Sequence, residues 1–107
     1  MTTAQPINLS EEQHEFRRVV RQFCEDKIAP LAAETDAKAE YPWPAFHALK
    51  AMGLTALSFP EEYGGEGAPL VTQAIVTEEI ARACASTSLI FLISKLGMLP
   101  VINFGTE

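Results

Sequence analysis

Between Ala83 and Ser94 the sequence carries no charge, and Leu89, Ile90, Phe91, Leu92 and Ile93 follow one another without a polar break. A helix over this stretch is apolar on nearly every side, so its neighbours must cover it. The stretch is twelve residues long, whereas a helix needs about 20 to cross a bilayer, so its length argues against membrane insertion. Two readings remain: a central core helix, or the wall of an apolar ligand pocket. The rest of the chain is amphipathic and suited to pack around it.

With 107 residues there is room for one small domain and not for two. Hydrophobic residues make up 48% of the chain, which excludes a disordered tail. The net charge is −6 and the densest basic group is Arg17, Arg18 and Arg21, so a nucleic acid is not an expected partner. Cys24 and Cys84 lie far apart with no metal-type spacing and read as reduced core residues. The first fifteen residues contain no Lys or Arg and no apolar run. Neither a signal peptide nor a transit peptide is read there, and the expected location is the cytoplasm.

The elements read as all-helical. Residues 1–8 form an N-terminal arm, and 9–107 a bundle of about five to six helices. Ser10 followed by Gln13 three residues on is a capping box, with Glu11 and Glu12 at the positive end of the helix dipole. Phe16, Val19, Val20, Phe23, Cys24 and Ile28 mark the buried face of this first helix. The arginines between them read as a solvated face, with Arg21 and Glu25 at ion-pair spacing. Pro30 should kink or break the helix, and 31–38 can resume it.

Tyr41-Pro42-Trp43-Pro44 is a rigid connector, with Pro44 suited to a helix start and Gly53 to its stop. After an apolar link over 54–59, three glycines and two prolines within residues 60–69 require a loop. A helix returns over 70–85, with Glu78 and Arg82 in the favourable i, i+4 order. Ser86-Thr87-Ser88 is a plausible break or N-cap for the apolar helix. Lys95 and Gly97 should end that helix, and Pro100 should begin a short one over 101–104.

No catalytic set emerges from these residues. The pairs Glu11/Glu12, Glu61/Glu62 and Glu78/Glu79 point about 100° apart on a helix and read as solvated surface rather than acid–base dyads. His14 and His47 have no partner at ligand spacing, so no metal site is expected. No serine sits in a nucleophile elbow. Gly64-Gly65-Glu66-Gly67 lacks the Lys-Ser/Thr ending of a phosphate loop.

Four stretches together resemble one family. Leu9 to Gln13 with Ile28-Ala29-Pro30, the run Pro60 to Gly67, Glu78-Glu79-Ile80-Ala81-Arg82, and Leu96-Gly97 with Gly105-Thr106-Glu107 look like the N-terminal α-helical domain of an acyl-CoA dehydrogenase. The resemblance spans about Leu9 to Glu107. It implies an oxidoreductase of three domains, of which the middle β-domain and the C-terminal four-helix bundle are not among these residues. It also implies FAD, a homotetramer, and an electron-transferring flavoprotein as partner. The implied reaction is α,β-dehydrogenation of an acyl-CoA thioester to the 2-enoyl-CoA. The catalytic glutamate and the FAD signatures belong to the other two domains, so no residue here is a catalytic base and the fragment alone should be inactive without a firm FAD site.

The family places a helix of this domain against the acyl chain, and the matching helix is the apolar one. Ser88, Leu89, Leu92 and Ile93 fall on one helical face and, with Leu96 extending it, are the expected substrate-binding residues; the alternative is that they are only core. The absence of a basic residue from Ala83 to Ser94 predicts an uncharged acyl tail, with Arg82 just outside. Two other readings stand beside this one: an acyl-CoA oxidase or related flavoprotein, and a stand-alone helical interaction module. An apolar helix short of a covering partner favours an interface over the module.

Overall fold

The computed structural model describes residues 8–106; the arm predicted over 1–8 lies, but for Asn8, outside them, as does Glu107. Every regular element among the described residues is helical. The chain runs α1 (Glu11–Phe23), α2 (Ala32–Lys38), α3 (Trp43–Ala51), α4 (Leu70–Ala83) and α5 (Ala85–Phe104), with short 3-10 turns at Leu54–Ala56 and Glu61–Tyr63.

Helix α1 begins as its sequence predicts. The Ser10 hydroxyl accepts from the Gln13 backbone N–H, and the Gln13 side chain accepts from the Ser10 N–H at 2.9 Å. Pro30 breaks the rod locally. The α-helix widens into a π-turn over Cys24–Ile28, tightens to a 3-10 turn over Ala29–Leu31, and resumes as α2. The proline has no N–H to continue the ladder, and the wide turn takes up the misfit. Val20, Cys24 and Ile28 are fully buried and Phe16 and Phe23 partly so, whereas Val19 is exposed rather than buried. Its place on the rim of the apolar stripe explains the difference.

The core is shared by all the main rods: Val20, Cys24 and Ile28 meet Ala45 and Leu49 of α3, Val76 and Ile80 of α4, and Ile90 and Phe91 of α5. Pro44 lies in the first turn of α3, and Gly53 stops it in the left-handed region at φ 79°. The glycine-rich loop is closed on itself by backbone bonds from Gly65 to Pro60, Gly67 to Phe59 and Ala68 to Leu57. A Cβ at Gly65 would lie 2.0 Å from the Phe59 carbonyl oxygen, so only glycine permits this closure.

Two boundaries differ from the sequence reading. The break before the apolar helix is Cys84, extended at φ −160°, rather than Ser86 to Ser88. One extended residue is enough to turn the chain, and Ser86, Thr87 and Ser88 then enter the helix. Nor does α5 end at Gly97; it continues through Pro100 to Phe104 as one helix of 20 residues. A proline forfeits the bond to the carbonyl four residues back, here that of Leu96. Leu96 is 66% exposed, so water is at hand for the orphaned group. The expected separate helix over 101–104 is therefore the end of α5, and the argument from a short length fails: α5 is long and apolar enough, by length and composition, to span a bilayer.

Candidate functional site

Helix α5 is anchored at one end and bare along the rest. Thr87, Ser88, Ile90 and Phe91 are buried, while Leu89, Leu92, Ile93, Leu96, Met98, Leu99 and Val101 are exposed and Phe104 is 87% exposed. The geometry follows from the Cys84 turn, which sends α5 back along α4. Gln73 and Lys95 lie equally far from Cys84 on either side, and they touch: Lys95 Nζ donates to Gln73 Oε1.

The residues expected at the site divide among three environments. Leu92 and Leu96 line a trough of about 590 Å³ between α4 and α5, with Ala74, Thr77, Phe91 and Leu99. Leu89 and Ile93 turn the other way, into a recess of about 240 Å³ walled by Tyr41, Pro42, Ser86 and Ser94. Ser88 lines neither recess; it is buried, and its hydroxyl donates to the Ala85 carbonyl at 2.6 Å. So the structure brings Leu92 and Leu96 together and Leu89 and Ile93 together, and it does not unite all five in one pocket.

Several trough residues escaped the sequence reading. The wall from α4, formed by Ala74, Thr77 and Glu78, comes from a helix read only as packing. Lys95 and Leu99 continue the Phe91 face at i+4 steps. The expected helix end at Lys95 and Gly97 cuts that face short. A further recess of about 370 Å³ joins Phe59, Pro60 and Tyr63 of the glycine loop to Met98, Val101 and Ile102 of α5.

The polar groups elsewhere are structural. Glu79, expected on the surface, is buried with its side chain 1% exposed. Arg21 Nε and Nη2 donate to its two oxygens at 2.9 Å each, replacing the expected Arg21–Glu25 pair. Arg82 lies 3.9 Å from Glu79 instead of pairing with Glu78, which faces Arg17 at 3.5 Å. The Arg21 hydrogen bonds hold the Glu79 carboxyl below its usual range, against the opposing effect of burial. Cys24 and Cys84 are free and buried. Burial, with Glu79 and Glu25 adding to it, pushes the Cys24 thiol up to about 11, so it is a poor nucleophile. Among the described residues no three His, Cys, Asp or Glu side chains converge to hold a metal.

The groups among the described residues that could meet a flavin phosphate, the arginines of α1 and the N–H groups of the glycine loop, are mostly engaged within the domain. Arg18 and Arg21 of α1 bond Glu15 and Glu79, Arg17 lies 3.5 Å from Glu78 with its buried Nε left without a hydrogen-bond partner, and the glycine loop directs its N–H groups at carbonyls of the loop and the link before it.

Residues 10–107 match the family described as acyl-CoA dehydrogenase, N-terminal domain. The chain is 48% identical over 101 residues to the probable acyl-CoA dehydrogenase FadE25 of Mycobacterium tuberculosis, covering 94% of this chain and 26% of the relative. It is 34% identical over 107 residues to the mitochondrial short-chain specific acyl-CoA dehydrogenase of Bos taurus, covering 99% and 26%. It is also 32% identical over 102 residues to the 3-sulfinopropanoyl-CoA desulfinase of Paraburkholderia xenovorans, covering 94% and 26%. The chain thus spans about a quarter of the length of these relatives. The capped first helix, the self-closed glycine loop and the half-bare apolar helix, with these matches, place the chain in the acyl-CoA dehydrogenase family, as its N-terminal domain.

Proposed function

We propose that this domain forms one wall of the acyl-chain site in an FAD-dependent acyl-CoA dehydrogenase, which converts an acyl-CoA thioester to its 2-enoyl-CoA. The carrying observation is the bare apolar side of α5, where Leu92 and Leu96 face a trough of about 590 Å³ lined mostly by apolar side chains. A membrane span accounts less well for α5, because Ile90 and Phe91 are packed into the core with α1, α3 and α4. Leu92 and Leu96 exclude water from the tail and fix its course along the trough, while proton abstraction and hydride transfer to FAD fall to residues outside this chain. In this reading the enzyme is a homotetramer and passes electrons to an electron-transferring flavoprotein. A relative named as a desulfinase shares the domain, which fits a wall that grips an acyl-CoA rather than performs the reaction.

The test is anaerobic addition of acyl-CoA thioesters to the full-length flavoprotein. Bleaching of the flavin absorbance with formation of the enoyl-CoA is the expected result. No bleaching with any acyl-CoA would overturn the reading. Rapid reoxidation by oxygen alone would move the enzyme to the oxidase class.

A further inference from the structure

The trough between α4 and α5 is lined mostly by apolar side chains; its polar members are Thr77, Glu78 and the pair in which Lys95 meets Gln73. Gln73 is buried, and its Nε2 donates to the Ala68 carbonyl at 2.9 Å, which leaves Oε1 as the acceptor presented to Lys95. The amide orientation is thereby fixed by two partners. Lys95 carries three donors, and Gln73 takes one of them. Among the described residues no carboxylate pairs with this ammonium. Glu78 lines the same trough but is engaged by Arg17 at 3.5 Å.

Among the described residues this half-buried ammonium, set beside Leu70, Leu92, Leu96 and Leu99, has no carboxylate at ion-pair distance. An anionic ligand group that reached it would form a charge-assisted hydrogen bond in an apolar surrounding. We infer that Lys95, held by Gln73, is a specificity-determining residue that selects acyl tails ending in a carboxylate, an inference that rests on the acyl-site reading above. A methyl-ended tail of the same length would strip water from the ammonium and return nothing for it. The proposal departs from the expectation of an uncharged tail: the stretch from Ala83 to Ser94 has no basic residue, but α5 runs on, and Lys95, the next residue, lines the trough.

The experiment uses the full-length enzyme with pairs of acyl-CoA thioesters of equal length, one ending in methyl and the other in carboxylate. Wild type, Lys95→Met and Lys95→Arg are compared after their flavin content and melting are measured. The expected result is a wild-type preference for the carboxylate-ended member of about tenfold or more in kcat/KM, carried mainly in KM. Lys95→Met should abolish the preference and Lys95→Arg should keep it. A wild-type preference for methyl-ended tails, or an equal loss for both members in Lys95→Met, overturns the role of Lys95. If Leu92→Glu shifts tail preference and Lys95→Met does not, the acyl site stands and only the Lys95 inference falls. Failure to oxidise any thioester removes the acyl-site reading itself.

Discussion

Arg21 on α1 and Glu79 on α4 meet through two parallel hydrogen bonds, Nε to Oε2 and Nη2 to Oε1, each 2.9 Å long. The fork joins residues 58 apart in sequence and fixes how α1 lies across α4. Its planar geometry suits arginine, and a lysine in the same place would lose one of the two bonds. Because α4 is also one wall of the trough, the pair supports the candidate site from behind.

Replacing Glu79 with Gln keeps the shape and removes the charge. Arg21, Arg17 and Arg82 then face one another without their common carboxylate. The variant should melt several degrees lower than wild type by thermal denaturation. An unchanged melting temperature would mean that the fork contributes no net stability.

The same carboxylate sets an acid dependence. Its folded pKa lies below its ordinary value of 4.5, chiefly through the Arg21 hydrogen bonds. Below 4.5 the unfolded chain therefore binds the proton first. The stability from this group is complete above that value and is lost as pH falls through the lower folded pKa. The difference in urea midpoint between wild type and Glu79→Gln should be constant near neutral pH and shrink as the solution is acidified below 4.5. A difference that grows on acidification would contradict the assignment.

The capping box at α1 gives a smaller effect. Ser10→Ala removes the acceptor for the Gln13 N–H and should cost about 1 kcal/mol, read from denaturant unfolding. Ser10→Gly should cost only a few tenths, because glycine still tolerates the N-cap conformation.

Two glycines separate backbone strain from steric conflict. Gly53 has φ 79° with open space around it, so Gly53→Ala should cost about 1–2 kcal/mol through the left-handed conformation alone. Gly65→Ala brings a methyl group onto the Phe59 carbonyl and must open the loop. It should cost more than Gly53→Ala and raise hydrogen exchange at the Gly65 and Gly67 amides. Equal costs would mean that the loop closure is not tight.

At the candidate site, Leu92→Glu places a carboxylate in the trough beside Lys95. In the full-length enzyme it should change the ranking of acyl-CoA substrates with little change in FAD content. An equal loss for every tail would make Leu92 structural.

What the sequence revealed follows the range of each interaction. The α1 cap, the Pro30 break and the glycine loop are encoded by residues within a few positions of one another, and all are legible. The Arg21–Glu79 fork was not, because Glu25 stood at a familiar spacing and nothing local announces a partner on another helix. Helix α5 was legible as the apolar centre of the chain but not in its extent, since Gly97 and Pro100 are stop signals that an exposed helix tolerates. The same misreading hid Lys95 and Leu99. Helical spacing alone puts Leu89 and Leu92 on one nominal face, whereas the packing of α4 on one side and Tyr41-Pro42 on the other sends them into different recesses.

The central claim is that the bare side of α5 touches the acyl tail. It is tested most directly by irradiating the full-length enzyme with an acyl-CoA carrying a photoreactive diazirine at the far end of its tail, followed by peptide mapping. The account predicts labelling on the peptide containing Leu92 and Leu96, suppressed by unlabelled substrate. Substrate-protected labelling confined to other parts of the protein would contradict it.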